Sequence, residues 1–324
     1  MSVRNIPNIS DKSYFNRKKE YFMRHFSIIT LLLFLILTTT LFSQKTSNIN
    51  WPQFIGRHDL VFEQLPLQWN EGAFVGNGQV GMMMFATMKD NRIDFHIGRQ
   101  DVTDHRKAPD RKTSMGVPGA SVLFDFPRLD IGKMALRPAG KILSGSLRQD
   151  LWNAEIRGTI VTDLGTITLR AYTPYQRMIN IFEISSTEIK DGKPAKYKWE
   201  FRPGNPATPR VQVFPWSDPN YITNPKPTLA NENGFGSCVQ PLLAGGDYAA
   251  VWHEQKQKNN ASTMYVAIAN EVPATNKSKV VAEASIREAL KVKKRKIEKA
   301  HRNWWHAFYQ KSFLSIPDAQ MESF

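Results

Sequence analysis

The chain has 324 residues, 41% of them hydrophobic and 11% aromatic, so a sizeable core is available. Its net charge of +14 is uneven: residues 1–43 contribute +4, residues 281–311 contribute +6, and the long stretch 44–280 only +6. The stretch 44–280 shows no basic stripe interleaved with stacking aromatics, which argues against a nucleic-acid partner.

Residues 28–41 read IITLLLFLILTTTL, fourteen residues without a charge, preceded by Arg24 and His25 and followed by Phe42 and Ser43. A basic region, an apolar run and a small residue in that order form a cleavable export signal. The run is short for a bilayer core of about 30 Å, which needs about 20 residues. Residues 1–43 are therefore expected to be a signal region. Cleavage after Ser43 would leave Gln44 as the mature terminus, and the protein would be secreted or periplasmic, touching a membrane only through its export signal. A start at Met23 would give that signal ordinary proportions; a translated, longer leader is the other reading.

Residues 44–279 are expected to form a β domain. Ser121–Phe126, Ala154–Thr162, Thr166–Tyr172, Met178–Ile184, Lys196–Phe201, Tyr248–His253 and Thr263–Ala269 are short apolar or alternating runs rich in β-branched and aromatic residues. That pattern is the mark of half-buried strands. Asp163, Leu164, Gly165 and Thr166 read as a hairpin turn between two of them. Many short strands in series predict a mainly β fold, an antiparallel β-sandwich. From Arg202 to Pro227 there are seven prolines, which remove ladder donors and predict a long irregular loop or edge. Trp216 in that loop is read either as a platform for a sugar ring or as a staple holding the loop down. Cys238 is the single cysteine, so no internal disulfide forms, and with no Cys or His at ligand spacing it reads as a small buried residue.

From Val280 the texture turns helical. Ile286, Leu290, Ile297, Trp304 and Phe308 recur at spacings of four and seven, drawing one apolar stripe along a helix, while lysines crowd the other positions as a solvated face. Residues 280–312 are expected to be amphipathic linker helices.

Two patches carry a resemblance. The first runs from Trp69 to Phe85 and contains Gly76, Asn77, Gly78 and Gly81, glycines read as tight turns with positive φ. The second runs from His301 to Asp318 and contains Trp304 and Trp305. Together they resemble the N-terminal region of glycoside hydrolase family 95 and related six-hairpin glycosidases. There a super-sandwich of β-sheets is joined by Trp-rich linker helices to an (α/α)6 barrel. The stretch Ile93 to Asp101 departs from that family's pattern, so the sugar stays open. The resemblance implies that residues 313–324 begin a barrel missing from this chain. Because the acid and base of glycoside hydrolysis would sit in that barrel, no catalytic residue is assigned here and this chain alone is expected to be inactive. It also implies that the loop after the Gly-Asn-Gly strand reaches toward the carbohydrate substrate, with Arg99, Asp101, Asp104 and His105 offering hydrogen bonds to it. The other reading of that loop is a polar surface with local salt bridges. No cofactor is implied. No metal site is expected, since two carboxylates and one histidine at this spacing match no standard loop. The competing readings are a free-standing carbohydrate-binding β-sandwich module and a surface-anchored structural protein.

Overall fold

The structure is a computed structural model that describes residues 49–104, 128–209, 221–271, 275 and 277–322. The expected signal region 1–43, the strand at Ser121–Phe126, His105 and Trp216 lie outside the described residues. In chain order the elements are helix α1 (Trp51–Gly56) and strands β1 (Leu60–Phe62), β2 (Ala73–Gly76), β3 (Val80–Thr87), β4 (Arg92–Arg99), β5 (Gly132–Arg137) and β6 (Ile142–Asp150). They continue with β7 (Glu155–Thr162), β8 (Gly165–Tyr172), β9 (Ile179–Ser186), β10 (Ile189–Lys190), β11 (Lys193–Pro194), β12 (Lys198–Pro203) and β13 (Thr228–Glu232). Strands β14 (Phe235–Pro241), β15 (Asp247–Gln257) and β16 (Ala261–Asn270) precede helices α2 (Ser278–Leu290), α3 (Lys294–Tyr309) and α4 (Ala319–Glu322).

The fold is mainly β and antiparallel, as the alternation predicts. A nine-stranded sheet has the order β1-β6-β7-β8-β9-β16-β15-β14-β13, and a five-stranded sheet the order β12-β5-β4-β3-β2. The expected hairpin is present: Thr162 pairs with Gly165 across the β7–β8 turn.

The two sheets pack face to face. Their shared core includes Met84, Phe95 and Met134 from the small sheet and Ile156, Phe182 and Met264 from the large one. Phe95 and Phe182 meet at 4.5 Å between ring centroids, and Phe201 stacks on Trp252 at 4.8 Å. Around β9, β15 and β16 the large sheet is buried on both faces. Side chains alternate along a strand, so in β9 Phe182 and Ile184 point into the sandwich while Ile179 and Ile181 point outward. The outward pair meets Tyr265 and Ala267 beneath Ala282, Ile286 and Ala289 of α2 and Ile297 of α3. This explains why residues 179–182 are continuously buried rather than alternating. Cys238 is buried in the sandwich core, and burial pushes its thiol up to about 11, as suits an inert packing residue.

The helical region differs from the single stripe read in the sequence. It breaks into two helices at Lys291–Lys293, with Lys293 in an extended conformation (φ −54°, ψ 125°). Ile286 and Ile297 are buried against the large sheet, but Trp304 and Phe308 remain 39% and 48% exposed. The segment after α3 then returns to α1. Phe313 packs edge-on against Trp51 at 4.9 Å and Phe54 at 5.6 Å, and Glu322 accepts a hydrogen bond from His58 at 2.9 Å and pairs with Arg57.

Candidate functional site

Arg99 ends β4 and grips Asp101 in a two-pronged pair, with Nε to Oδ1 at 2.6 Å and Nη2 to Oδ2 at 2.9 Å. Its remaining arm donates to the Ile268 carbonyl at 2.7 Å, and Asn270 Nδ2 donates to the Asp101 carbonyl at 2.6 Å. The clip therefore ties the end of β4 to the end of β16. Asp104 is buried and separate from the clip. Tyr221 Oη donates to its carboxylate at 2.9 Å and Asn224 Nδ2 at 3.4 Å. His105 lies outside the described residues. The structure thus brings Arg99 and Asp101 together and sends Asp104 to a different cluster, where protein donors occupy it. Among the described residues no group of three or more His, Cys, Asp or Glu is placed to hold a metal.

The Gly-Asn-Gly turn between β2 and β3 does something the sequence did not reveal. Only Gly78 has positive φ, at 87°. Gly76 and Gly81 face each other across the strand pair instead, and a Cβ on Gly81 would sit 2.9 Å from the Val75 carbonyl oxygen. Their small size serves close backbone approach, not a turn. Asn77 Oδ1 accepts from the amides of Gln79 (3.1 Å) and Val80 (3.0 Å), which closes the turn. Asn77 Nδ2 donates to the carbonyls of Pro174 and Arg177, each at 2.9 Å. All four hydrogen-bonding sites of the amide are used. The motif is a staple from the small-sheet hairpin to the β8–β9 turn of the large sheet.

That stapled turn carries Tyr175, whose ring stacks on Trp304 of α3 at 5.3 Å and 19°. Helix α3 is held from below. His301 is fully buried, with Nε2 at 3.1 Å from the Asn153 carbonyl and 3.2 Å from the Ala154 carbonyl. Two carbonyl acceptors require a proton on Nε2, and Nδ1 is buried without a partner. Burial pushes the imidazole down to about 4, outweighing the two carbonyls and Glu155, which favour its charged form. Next to it, the fully buried Glu155 accepts from Arg157 and Arg170 at 2.6 Å each and from Arg302 of α3 at 3.1 Å. Trp152 stacks flat on His306 at 3.9 Å.

Clamped there, α3 continues the same stripe past His301 as a run of aromatic rings toward its C-terminal end. Trp304 stacks on Phe308 at 5.2 Å and meets Trp305 edge-on at 5.0 Å. Flat rings of this kind suit two occupants, the apolar face of a sugar ring or the apolar surface of a partner domain. Beside the clamp, the outer face of the large sheet holds a polar groove of about 690 Å³ with Thr159, Thr168, Arg170, Glu183 and Ser185 on its floor. Its cations are already neutralised: Arg148 by Asp59 at 2.6 Å, Arg170 by Glu155, and Lys294 by Glu183 at 3.3 Å.

No family model matches the chain, and no curated protein matches it significantly. Among solved structures it is similar to one described as a putative kojibiose phosphorylase from human microbiome, with a TM-score of 0.44 and 12% identity. The similarity covers 73% of this chain and 32% of the other, so the chain spans about a third of that protein's length.

Proposed function

We propose that this chain is the N-terminal, non-catalytic part of a secreted carbohydrate-active enzyme, a glycoside hydrolase of the six-hairpin type. Its role is to support, and partly to line, the active site of a helical (α/α)6 barrel. The observation that carries the proposal is the aromatic end of α3. His301 and Arg302 on Glu155 lock the helix to the large sheet, and further along the same stripe Trp304 and Phe308 stay partly exposed. A helix fixed so firmly with half-exposed aromatic rings suits a second body placed against it. Four of the five buried carboxylates among the described residues also fit a supporting role. Asp94, Asp104, Glu155 and Glu188 are each occupied by protein donors, and general acid–base work needs a carboxyl that can reach a substrate. The proposed export rests on the sequence of residues 1–43.

The test is to express the complete reading frame that contains residues 1–324 and to assay sugar release from a panel of glycans. Residues 44–324 alone are assayed in parallel. Activity in the first and none in the second is the expected result. Hydrolysis by residues 44–324 alone would overturn the non-catalytic assignment, and no activity in either would overturn the enzyme reading. The second reading, a free-standing carbohydrate-binding module, is favoured by the same exposed rings. Sugar affinity that disappears in Trp304→Ala, without any hydrolysis from the full frame, would select it.

A further inference from the structure

A second cavity of about 420 Å³ lies where the stapled β8–β9 turn meets the start of α3, a size within the range of about 300–1,000 Å³ common for small-molecule sites. Tyr175, Gln176 and Arg177 line it from the turn, Val292 from the break between α2 and α3, and Lys296 and Ile297 from α3. No carboxylate lines it. Among the described residues neither Arg177 nor Lys296 has an ion-pair partner. The polar groove on the large sheet is the useful contrast. There an incoming anion would compete with carboxylates already seated on Arg170 and Lys294, whereas here the two cations have no internal competitor.

The turn that carries Arg177 is also fixed in advance. The Arg177 amide donates to the Pro174 carbonyl at 3.2 Å, and Asn77 holds the carbonyls of both residues at 2.9 Å. Little backbone ordering would accompany binding, so the charge contacts would not be offset by loop entropy. We propose that this pocket binds the anionic group of an acidic saccharide. Arg177 and Lys296 receive its carboxylate or sulfate ester, and Tyr175 and Gln176 contact the sugar to which that group is attached. The two anion types share this chemistry, a charged oxygen cluster on a sugar, and the guanidinium suits either through paired N–H donors. The saccharide part of the proposal rests on the carbohydrate reading above.

The experiment titrates the full chain with three probes: an oligosaccharide ending in glucuronate, a sulfated oligosaccharide, and their neutral parent. Calorimetry reads the affinities. An acidic probe is expected to bind at least about tenfold tighter than the neutral one. Arg177→Gln and Lys296→Gln are each expected to weaken it by about three- to tenfold. Both side chains are at or near the surface, so the fold survives their loss. Lys293→Gln and Lys299→Gln, exposed cations outside the pocket, are the controls and should change little. The tighter of the two acidic probes identifies the group. Equal binding of acidic and neutral probes overturns the anion pocket and leaves the carbohydrate reading standing. Equal losses in the control variants show a general basic surface and overturn it too. Absence of all saccharide binding also overturns the pocket, while the hydrolysis assay decides the enzyme reading separately.

Discussion

Asn77 uses its whole amide, and this makes its replacement predictable in kind. Asn77→Ala removes two bonds inside the turn and two to the β8–β9 turn. The expected loss is about 1–3 kcal/mol, since the stranded carbonyls and amides lose partners. Asn77→Asp should be no milder. It keeps the acceptor for Gln79 and Val80 but places a charged oxygen against the Pro174 and Arg177 carbonyls. Chemical denaturation gives the loss, and hydrogen exchange should rise at residues 174–177 in both variants. Unchanged exchange there would mean that the staple does not hold the turn.

His301 gives the second residue-scale prediction. Its folded pKa is lowered to about 4, against about 6.5 for an unperturbed imidazole. The folded state resists the proton that the unfolded state accepts. The contribution is therefore fully present above about pH 6.5 and is lost progressively as pH falls toward 4. The maximum effect is about 3 kcal/mol, taking about 1.4 kcal/mol per unit. The groups around the ring are the Asn153 and Ala154 carbonyls, Glu155, Arg170 and Tyr172. His301→Gln keeps a neutral donor for the carbonyls, so its stability should vary less with pH between 4 and 6.5. Equal slopes for the variant and the parent would assign the pH dependence to other groups.

At the scale of elements, Glu155 joins β7 and β8 to α3 through three arginines. Glu155→Gln leaves those cations crowded with one anion fewer. Breaking a buried pair in this way costs about 3–5 kcal/mol. Loss of the α3 contact should also show as faster exchange along residues 294–309. Phe308→Ser is the opposite case. The ring is half-exposed, so stability should stay within about 0.5 kcal/mol of the parent, while any interaction with a domain covering the stripe should weaken. A large stability loss would mean that the ring already belongs to this chain's own core.

The strands were the most legible elements. Ala154–Thr162, Thr166–Tyr172 and Thr263–Ala269 announce themselves by alternation and appear as β7, β8 and β16. The break at Lys291–Lys293 was not legible, because no glycine or proline marks it and the apolar spacing runs through it. Ile286 before the break and Ile297 after it both pack in the core cluster on the outer face of the large sheet. The local pair Arg99–Asp101 could be suspected from two residues' spacing. The seat of Asp104 could not, since Tyr221 and Asn224 lie 117 and 120 positions away.

At the scale of the whole molecule, the proposed export predicts that terminal sequencing of the mature protein begins at Gln44. An intact leader in the mature protein would instead favour a surface anchor. The remainder, from Trp51 to Phe324, forms one compact unit in which sandwich and helices pack together. By itself the sequence determined the β class, the run of strands and the change to helix, because side-chain alternation and helical spacing are properties of neighbouring residues. Only the tertiary structure decided that the Gly-Asn-Gly motif is a staple and that Asp104 is a buried tether. It alone placed a pocket without carboxylates at the start of α3 and an aromatic stripe at its end. Those roles depend on which distant backbone carbonyls and side chains arrive within about 3 Å, and local pattern carries no record of that distance.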